Sequence, residues 1–241
     1  MRDGLKKFTN LQDANVINLA ATIDHTLLRP EQSTRQRIEQ LCSEAQRYGF
    51  ASVCVLPRWV PLAAELLYNT PVAVCSVVGF PLGGNLTLTK QSEAAHLITA
   101  GAQELDMVMD IAALKSGDDR AVLDDITAVV ETAHHHGVIV KVIIECSVLD
   151  EHEKVRAAEL VSTAEADFIK TSTGFSTQGA TIEDVRLLRR VVAPSVKVKA
   201  AGGIRTRQQA LALIEAGAER IGTSAGVAIV SDTGVESSAL Y

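Results

Sequence analysis

Residues 167–205, DFIKTSTGFSTQGATIEDVRLLRRVVAPSVKVKAAGGIR, contain two short apolar runs with an amphipathic stretch between them. Residues 167–172 and 196–200 have the length and apolar content of buried strands, whereas 181–192 spaces its apolar residues for one face of a helix. Strand, crossover helix and strand in that order form a βα unit, the element from which parallel sheets are made.

The same alternation recurs outward from this segment. Strands are expected at 21–26, 52–56, 72–78, 104–110, 139–146, 167–172, 196–200 and 220–223, and helices at 31–48, 87–100, 118–136, 150–165, 181–192 and 206–216. Tyr48-Gly49, Ala100-Gly101, His136-Gly137 and Ala216-Gly217 place glycine where a helix ends in a left-handed residue before a strand. Eight such units without a Pro- or Ser-rich linker predict one α/β domain over 1–241, a single (β/α)8 TIM barrel. A short helical lead-in is expected at about 1–20 and a polar tail at about 232–241.

Bulk properties narrow the partners. A formal charge of -6, with 29 acidic and 23 basic residues scattered along the chain, leaves no basic stripe for a nucleic-acid backbone. The opening MRDGLKKFTN lacks an apolar core, and no later run approaches the roughly 18 apolar residues of a membrane span. Cys42, Cys54, Cys75 and Cys146 form no CxxC pair, which suits neither a disulfide framework nor a zinc knuckle. A cytoplasmic location is therefore expected, with no nucleic-acid or membrane partner. His134, His135 and His136 point in different directions on a helix and suit its C-terminus better than a metal, so no metal is expected.

In a barrel of this kind chemistry sits at the C-terminal ends of the strands, so polar residues inside apolar strand runs carry the signal. They are Asp24, Asp106, Asp110, Lys141, Glu145, Lys170 and Lys199. Alternation puts Asp106 and Asp110 on one face, and Lys141 and Glu145 on another, where a structural Lys141–Glu145 pair competes with a functional role. Lys170 and Lys199 sit late in consecutive strands, where a second ammonium has no structural use. Like-charge repulsion and desolvation would leave one of the two neutral near neutral pH. A neutral lysine attacks a carbonyl, and the resulting imine accepts the electrons of a broken carbon–carbon bond. Asp106 would move the protons. Two Gly-rich loops, 200–205 after the seventh strand and 222–226 after the eighth, fall where barrels bind phosphate through backbone N–H groups. The third, 78–85, lacks Gly-Lys-Ser/Thr and reads as a loop over the barrel mouth.

Three segments, FIKTSTG at 168–174, VKAAGGIR at 198–205 and VGFPLG at 78–83, together with residues from Asp24 to Ser224, closely resemble the deoxyribose-phosphate aldolases. The resemblance implies that Lys170 forms the imine, Lys199 tunes it and Asp106 transfers protons. It implies substrate contacts at Asp24, Lys141 and Thr171, and phosphate contacts at Gly174, Gly202, Gly203, Gly222 and Ser224. The implied reaction is reversible cleavage of 2-deoxy-D-ribose 5-phosphate to D-glyceraldehyde 3-phosphate and acetaldehyde, with no cofactor, in deoxynucleoside catabolism and by a homodimer. Two other readings are a different Schiff-base aldolase, such as a transaldolase-like enzyme, and a silent sugar-phosphate binding protein.

Some positions depart from the pattern. Gln178 stands where glycine is common, and Ala225 where some members have a second serine. Lys197 has no assigned role and is expected to turn to solvent. Cys54 reads as a buried core thiol at a strand position facing the family's site. Plain disorder is the simpler reading of the tail; in the alternative it folds over the barrel and Tyr241 assists proton transfer.

Overall fold

The structure is a computed structural model and describes residues 18–231. A 3-10 turn, Leu19–Thr22, leads into β1, Ile23–Leu27. The other strands are β2 Ser52–Val55, β3 Ala73–Val78, β4 Glu104–Val108, β5 Ile139–Ile143, β6 Phe168–Lys170, β7 Lys197–Ala201 and β8 Arg220–Thr223. All are parallel, each pairs with the next, and β8 returns to β1, so the barrel closes in chain order as expected. The helices are α1 Arg35–Tyr48, α2 Val60–Leu66, α3 Thr87–Thr99, α4 Ile111–Lys115, α5 Asp119–His134, α6 Glu151–Thr163, α7 Ile182–Val191, α8 Arg207–Glu215 and α9 Gly226–Ser231. Most of the expected lead-in and all of the tail with Tyr241 lie outside the described residues. Among the described residues, no helix is long and apolar enough to cross a membrane.

Local chemistry accounts for the helix bounds. At α1, the Thr34 side chain accepts from the Arg37 N–H, a cap worth about 1 kcal/mol over alanine. Ile38, Leu41, Cys42 and Ala45 then bury one stripe against the barrel wall, and Gly49, at φ 69°, ends the helix. Asp150 and Glu153 cap α6 reciprocally, as Thr206 and Gln209 cap α8.

The strands are shorter than alternation predicts, and this corrects two expectations. β4 stops at Val108, and Asp110 accepts from the Ala113 N–H at 2.9 Å as the N-cap of α4, so it does not share a barrel face with Asp106. β5 stops at Ile143, and Glu145 takes a left-handed backbone, φ 55°. Just past each strand end the backbone turns away, into a helix cap at Asp110 and a left-handed residue at Glu145, and a period of two along one strand does not register such a turn. Helices α2, α4 and α9, at 7, 5 and 6 residues, are too short to show a full amphipathic repeat in the sequence.

Between strands and helices runs one continuous apolar core that includes Ile23, Val53, Val74, Leu105, Val140, Ile169, Val198 and Ile221. Lys90 of α3 is wholly buried in this layer, with its Nζ 2.6 Å from Asp125 of α5 and donating to the Val108 carbonyl at 2.9 Å. It secures the end of β4 and packs beneath Gly79, at the root of the 78–85 loop. The outer layer is mainly apolar, and its buried charges are paired locally, as Asp184 is with Lys154 at 2.7 Å.

Candidate active site

Four cations and three carboxylates converge inside the barrel. Asp106, completely buried on β4, receives Lys141 at 2.9 Å, Lys170 at 2.7 Å and Lys199 at 2.6 Å. Register brings them together: Asp106 pairs with Lys141 across β4 and β5, and Lys170 with Lys199 across β6 and β7. Asp24 of β1 lies 2.5 Å from Lys199 and 3.7 Å from Lys141, accepts from Ser52 at 2.7 Å and from Arg220 at 2.6 Å. Glu104, which opens β4, joins Lys141 at 2.6 Å to Arg220 at 3.1 Å. The lysines thus differ in their company: three carboxylates for Lys141, two for Lys199 and one for Lys170.

The carboxylates set the charge state of two of these lysines. Burial pulls the Lys199 pKa down, but Asp106 and then Asp24 outweigh it and the pKa rises above the ordinary lysine value, with Lys141 opposing only in part. Lys141 behaves the same way, with Asp106 as its main counter-charge. Repulsion between lysines therefore does not make Lys199 neutral, because each is bridged to the other by a carboxylate. Burial alone would raise the Asp106 pKa, yet Lys141, Lys170 and Lys199 together hold it well below the usual carboxylate range. Asp24 is lowered likewise, against burial, by Lys199, Lys141 and Arg220.

The competing structural reading, a Lys141–Glu145 pair, does not form. Glu145, also buried, accepts instead from the Thr173 N–H at 3.2 Å and from the Thr173 hydroxyl. Thr173 accepts in turn from the Phe175 N–H at 3.1 Å, so Glu145 fixes the loop that leaves β6. Glu104, Arg220, Ser52 and Cys75 were not singled out in the sequence. Glu104 was legible, since it lies two residues before Asp106 on the same strand face. Cys75, opposite Cys54 in the β2–β3 register, donates to Asp106 at 3.2 Å; burial raises its pKa well above the ordinary thiol value. Cys54 is fully buried beside it, as expected for a core thiol. Lys197 is exposed at the start of β7, with its ammonium 5.6 Å from the Phe168 ring. On the outer surface His134 bonds Asp167 at 2.9 Å, away from this network.

Above the charges lies a cavity of about 450 Å³. Of the three lysines, Lys170 alone borders it, at the last position of β6. Gly174, Gly202, Gly203, Gly222 and Ser224 all line the same cavity, so the two loops singled out in the sequence meet there. Asp24, Lys141 and Thr171 do not reach its wall. Thr171 is buried and ties β6 to β7, donating to the Ala201 carbonyl at 3.3 Å and accepting from the Ala201 N–H at 3.1 Å. Gln178 is exposed, and the backbone N–H of Ala225 is taken by the Thr223 hydroxyl at 2.9 Å.

Gly179 matters by close approach. A Cβ there would stand 2.1 Å from the Gly202 carbonyl oxygen and 2.3 Å from its carbon. Gly179→Ala therefore has to push the 202–203 turn aside, since both contacts are backbone. We expect a loss of about 1–3 kcal/mol in urea denaturation together with a raised KM for a phosphorylated substrate. An alanine variant with the wild-type midpoint and KM would show that this approach is slack.

The family model for the DeoC/LacD family aldolases matches residues 18–232. A deoxyribose-phosphate aldolase from a Geobacillus species is 56% identical over 213 residues, which cover 88% of this chain and 95% of the relative. A solved structure titled as a putative deoxyribose-phosphate aldolase, from Coccidioides immitis, superposes with a TM-score of 0.87 at 44% identity over 92% of this chain and 87% of the other. The deoxyribose phosphate aldolase of Aeropyrum pernix, described as a tetramer, gives a TM-score of 0.83 at 36% identity, covering 89% of this chain and 90% of that one.

Proposed function

The chain belongs to the DeoC/LacD family of aldolases, and we propose that it cleaves 2-deoxy-D-ribose 5-phosphate to D-glyceraldehyde 3-phosphate and acetaldehyde through an imine on Lys170. The observation that carries the assignment of the lysine is its position. Lys170 is the one of the three lysines inside the barrel that opens onto the cavity, and of those three it has the fewest carboxylate contacts. Four cations face three carboxylates in this network, and Lys170 is the amine held by a single one of them.

The Lys170 amine, once it has given up its proton, adds to the aldehyde carbon C1 of the open-chain sugar, and the carbinolamine loses water to give the iminium. Removal of the proton from the C3 hydroxyl turns that carbon into an aldehyde as the C2–C3 bond breaks. The bonding pair passes into the iminium to give an enamine, and glyceraldehyde 3-phosphate leaves. Protonation at C2 and addition of water then release acetaldehyde and the free amine. The iminium is itself the electron sink, so the reaction needs no metal or organic cofactor.

Asp106 lies 2.7 Å from the Lys170 amine, close enough to pass protons to and from the carbinolamine directly or through a water, and three cations hold it ionised. Lys199 shares the same carboxylate oxygen and acts on Lys170 through Asp106. Asp24, Lys141, Glu104 and Arg220 hold that arrangement from below. We assign the phosphate to the loops of Gly174, Gly202, Gly203, Gly222 and Ser224, where glycines expose backbone donors. A homodimer in the cytoplasm remains part of this reading; Leu82, Leu86 and Leu88, each more than three-quarters exposed, supply apolar surface for pairing.

Borohydride reduction in the presence of 2-deoxyribose 5-phosphate, followed by peptide mass mapping, tests the imine. An adduct on Lys170 is expected. An adduct on Lys199 would exchange the two roles, and an unmodified protein that binds the sugar would make it a binding protein.

A further inference from the structure

We infer that Arg29 is the cation that sets this enzyme's preference for a phosphorylated sugar, binding the substrate's terminal phosphate together with the glycine loops. The inference rests on the reading of those loops as the phosphate site, and begins from a charge that their glycines and Ser224 leave unmatched. A phosphate monoester carries about −1.5 to −2 near neutral pH. The loop residues assigned to it, Gly174, Gly202, Gly203, Gly222 and Ser224, offer only neutral donors. Lys199 and Lys141 lie beneath the cavity and are already committed to buried carboxylates. Glu31, exposed on the same cavity wall, makes the need for a cation greater.

Arg29 meets that need. It follows β1, is exposed, and borders the cavity with Gly174, Gly202, Gly203 and Ser224. Its guanidinium lies over the Phe175 ring, 4.2 Å from the centroid, and donates to the Gly174 carbonyl at 3.4 Å. Its partners among the described residues are thus a ring and a carbonyl, not a carboxylate, so its charge is positioned without being neutralised. Phe175 is itself held edge-on by Phe80 at 5.2 Å, and its backbone N–H by Thr173, which Glu145 anchors. A planar fork held at two points keeps N–H groups free for the oxygens of a phosphate, which is how arginine recognises this group elsewhere in proteins. Arg205 also borders the cavity, but Arg29 is the one fixed by the loop it faces.

The test compares 2-deoxyribose 5-phosphate with free 2-deoxyribose as substrates of the full chain and of Arg29→Gln. The ratio of their kcat/KM values is expected to fall about tenfold in the variant, mainly through KM for the phosphorylated sugar. An unchanged ratio overturns the inference. A wild-type protein that cleaves neither sugar would instead undo the parent reading, so binding of inorganic phosphate is measured by calorimetry on both proteins. Weaker phosphate binding by Arg29→Gln supports the role of Arg29 whatever the turnover; equal binding removes it.

Discussion

Lys170→Ala is expected to lower the rate of 2-deoxyribose 5-phosphate cleavage by at least about 1,000-fold, because among the described residues no other lysine borders the cavity to form the covalent intermediate. The same variant should fold normally. Removing Lys170 takes away one of the four cations and leaves Asp106 with Lys141 and Lys199 at 2.9 and 2.6 Å. Loss of activity with an unchanged urea midpoint is therefore the diagnostic pair of results. A rate within tenfold of wild type would end the imine assignment, and a collapsed midpoint would show that Lys170 is needed structurally.

Asp106→Asn should do the opposite, costing both activity and stability. Three buried ammonium groups share this carboxylate, and neutralising it leaves four cations with two anions in the barrel. Breaking a buried pair by removing one partner costs about 3–5 kcal/mol, and loss of the proton-transfer group lowers turnover by about 100- to 10,000-fold. The pH dependence has a definite sign. Asp106 has a lowered pKa in the folded protein, so its contribution is present above the ordinary carboxylate value of about 3.9 and is lost as pH falls through the lowered one. Lys199 and Lys141 have raised values, so theirs is present below the ordinary lysine value of about 10.4 and is lost as pH rises through the raised ones. The stability gap between wild type and Asp106→Asn should be widest between those limits and narrow toward either extreme. Urea midpoints across that range would show it, and a gap independent of pH would mean that the loss comes from packing and not from charge.

Much of this molecule is readable along the chain. Apolar runs alternating with amphipathic stretches located all eight strands, because burial on a barrel wall leaves a local periodic trace. Lys170 and Lys199 were legible for the complementary reason, that an ammonium in such a run is costly unless it has work to do. Reading failed where the trace stops being local. Asp110 and Glu145 continue the alternation on paper, but the sheet has ended and their side chains serve a helix cap and a loop.

What the sequence by itself determined is the set of elements, the barrel they build and the lysines inside it, since each follows from side chains only a few residues apart. Which of those lysines faces the cavity, and which carboxylates hold the others protonated, was decided by the tertiary structure alone. Arg220 meets Asp24 across 196 residues, Lys199 meets Asp106 across 93, and Arg29 reaches Gly174 across 145. Closing the barrel brings these groups within hydrogen-bonding distance, and at that distance, in a buried interior, charge outweighs the intrinsic character of any one side chain.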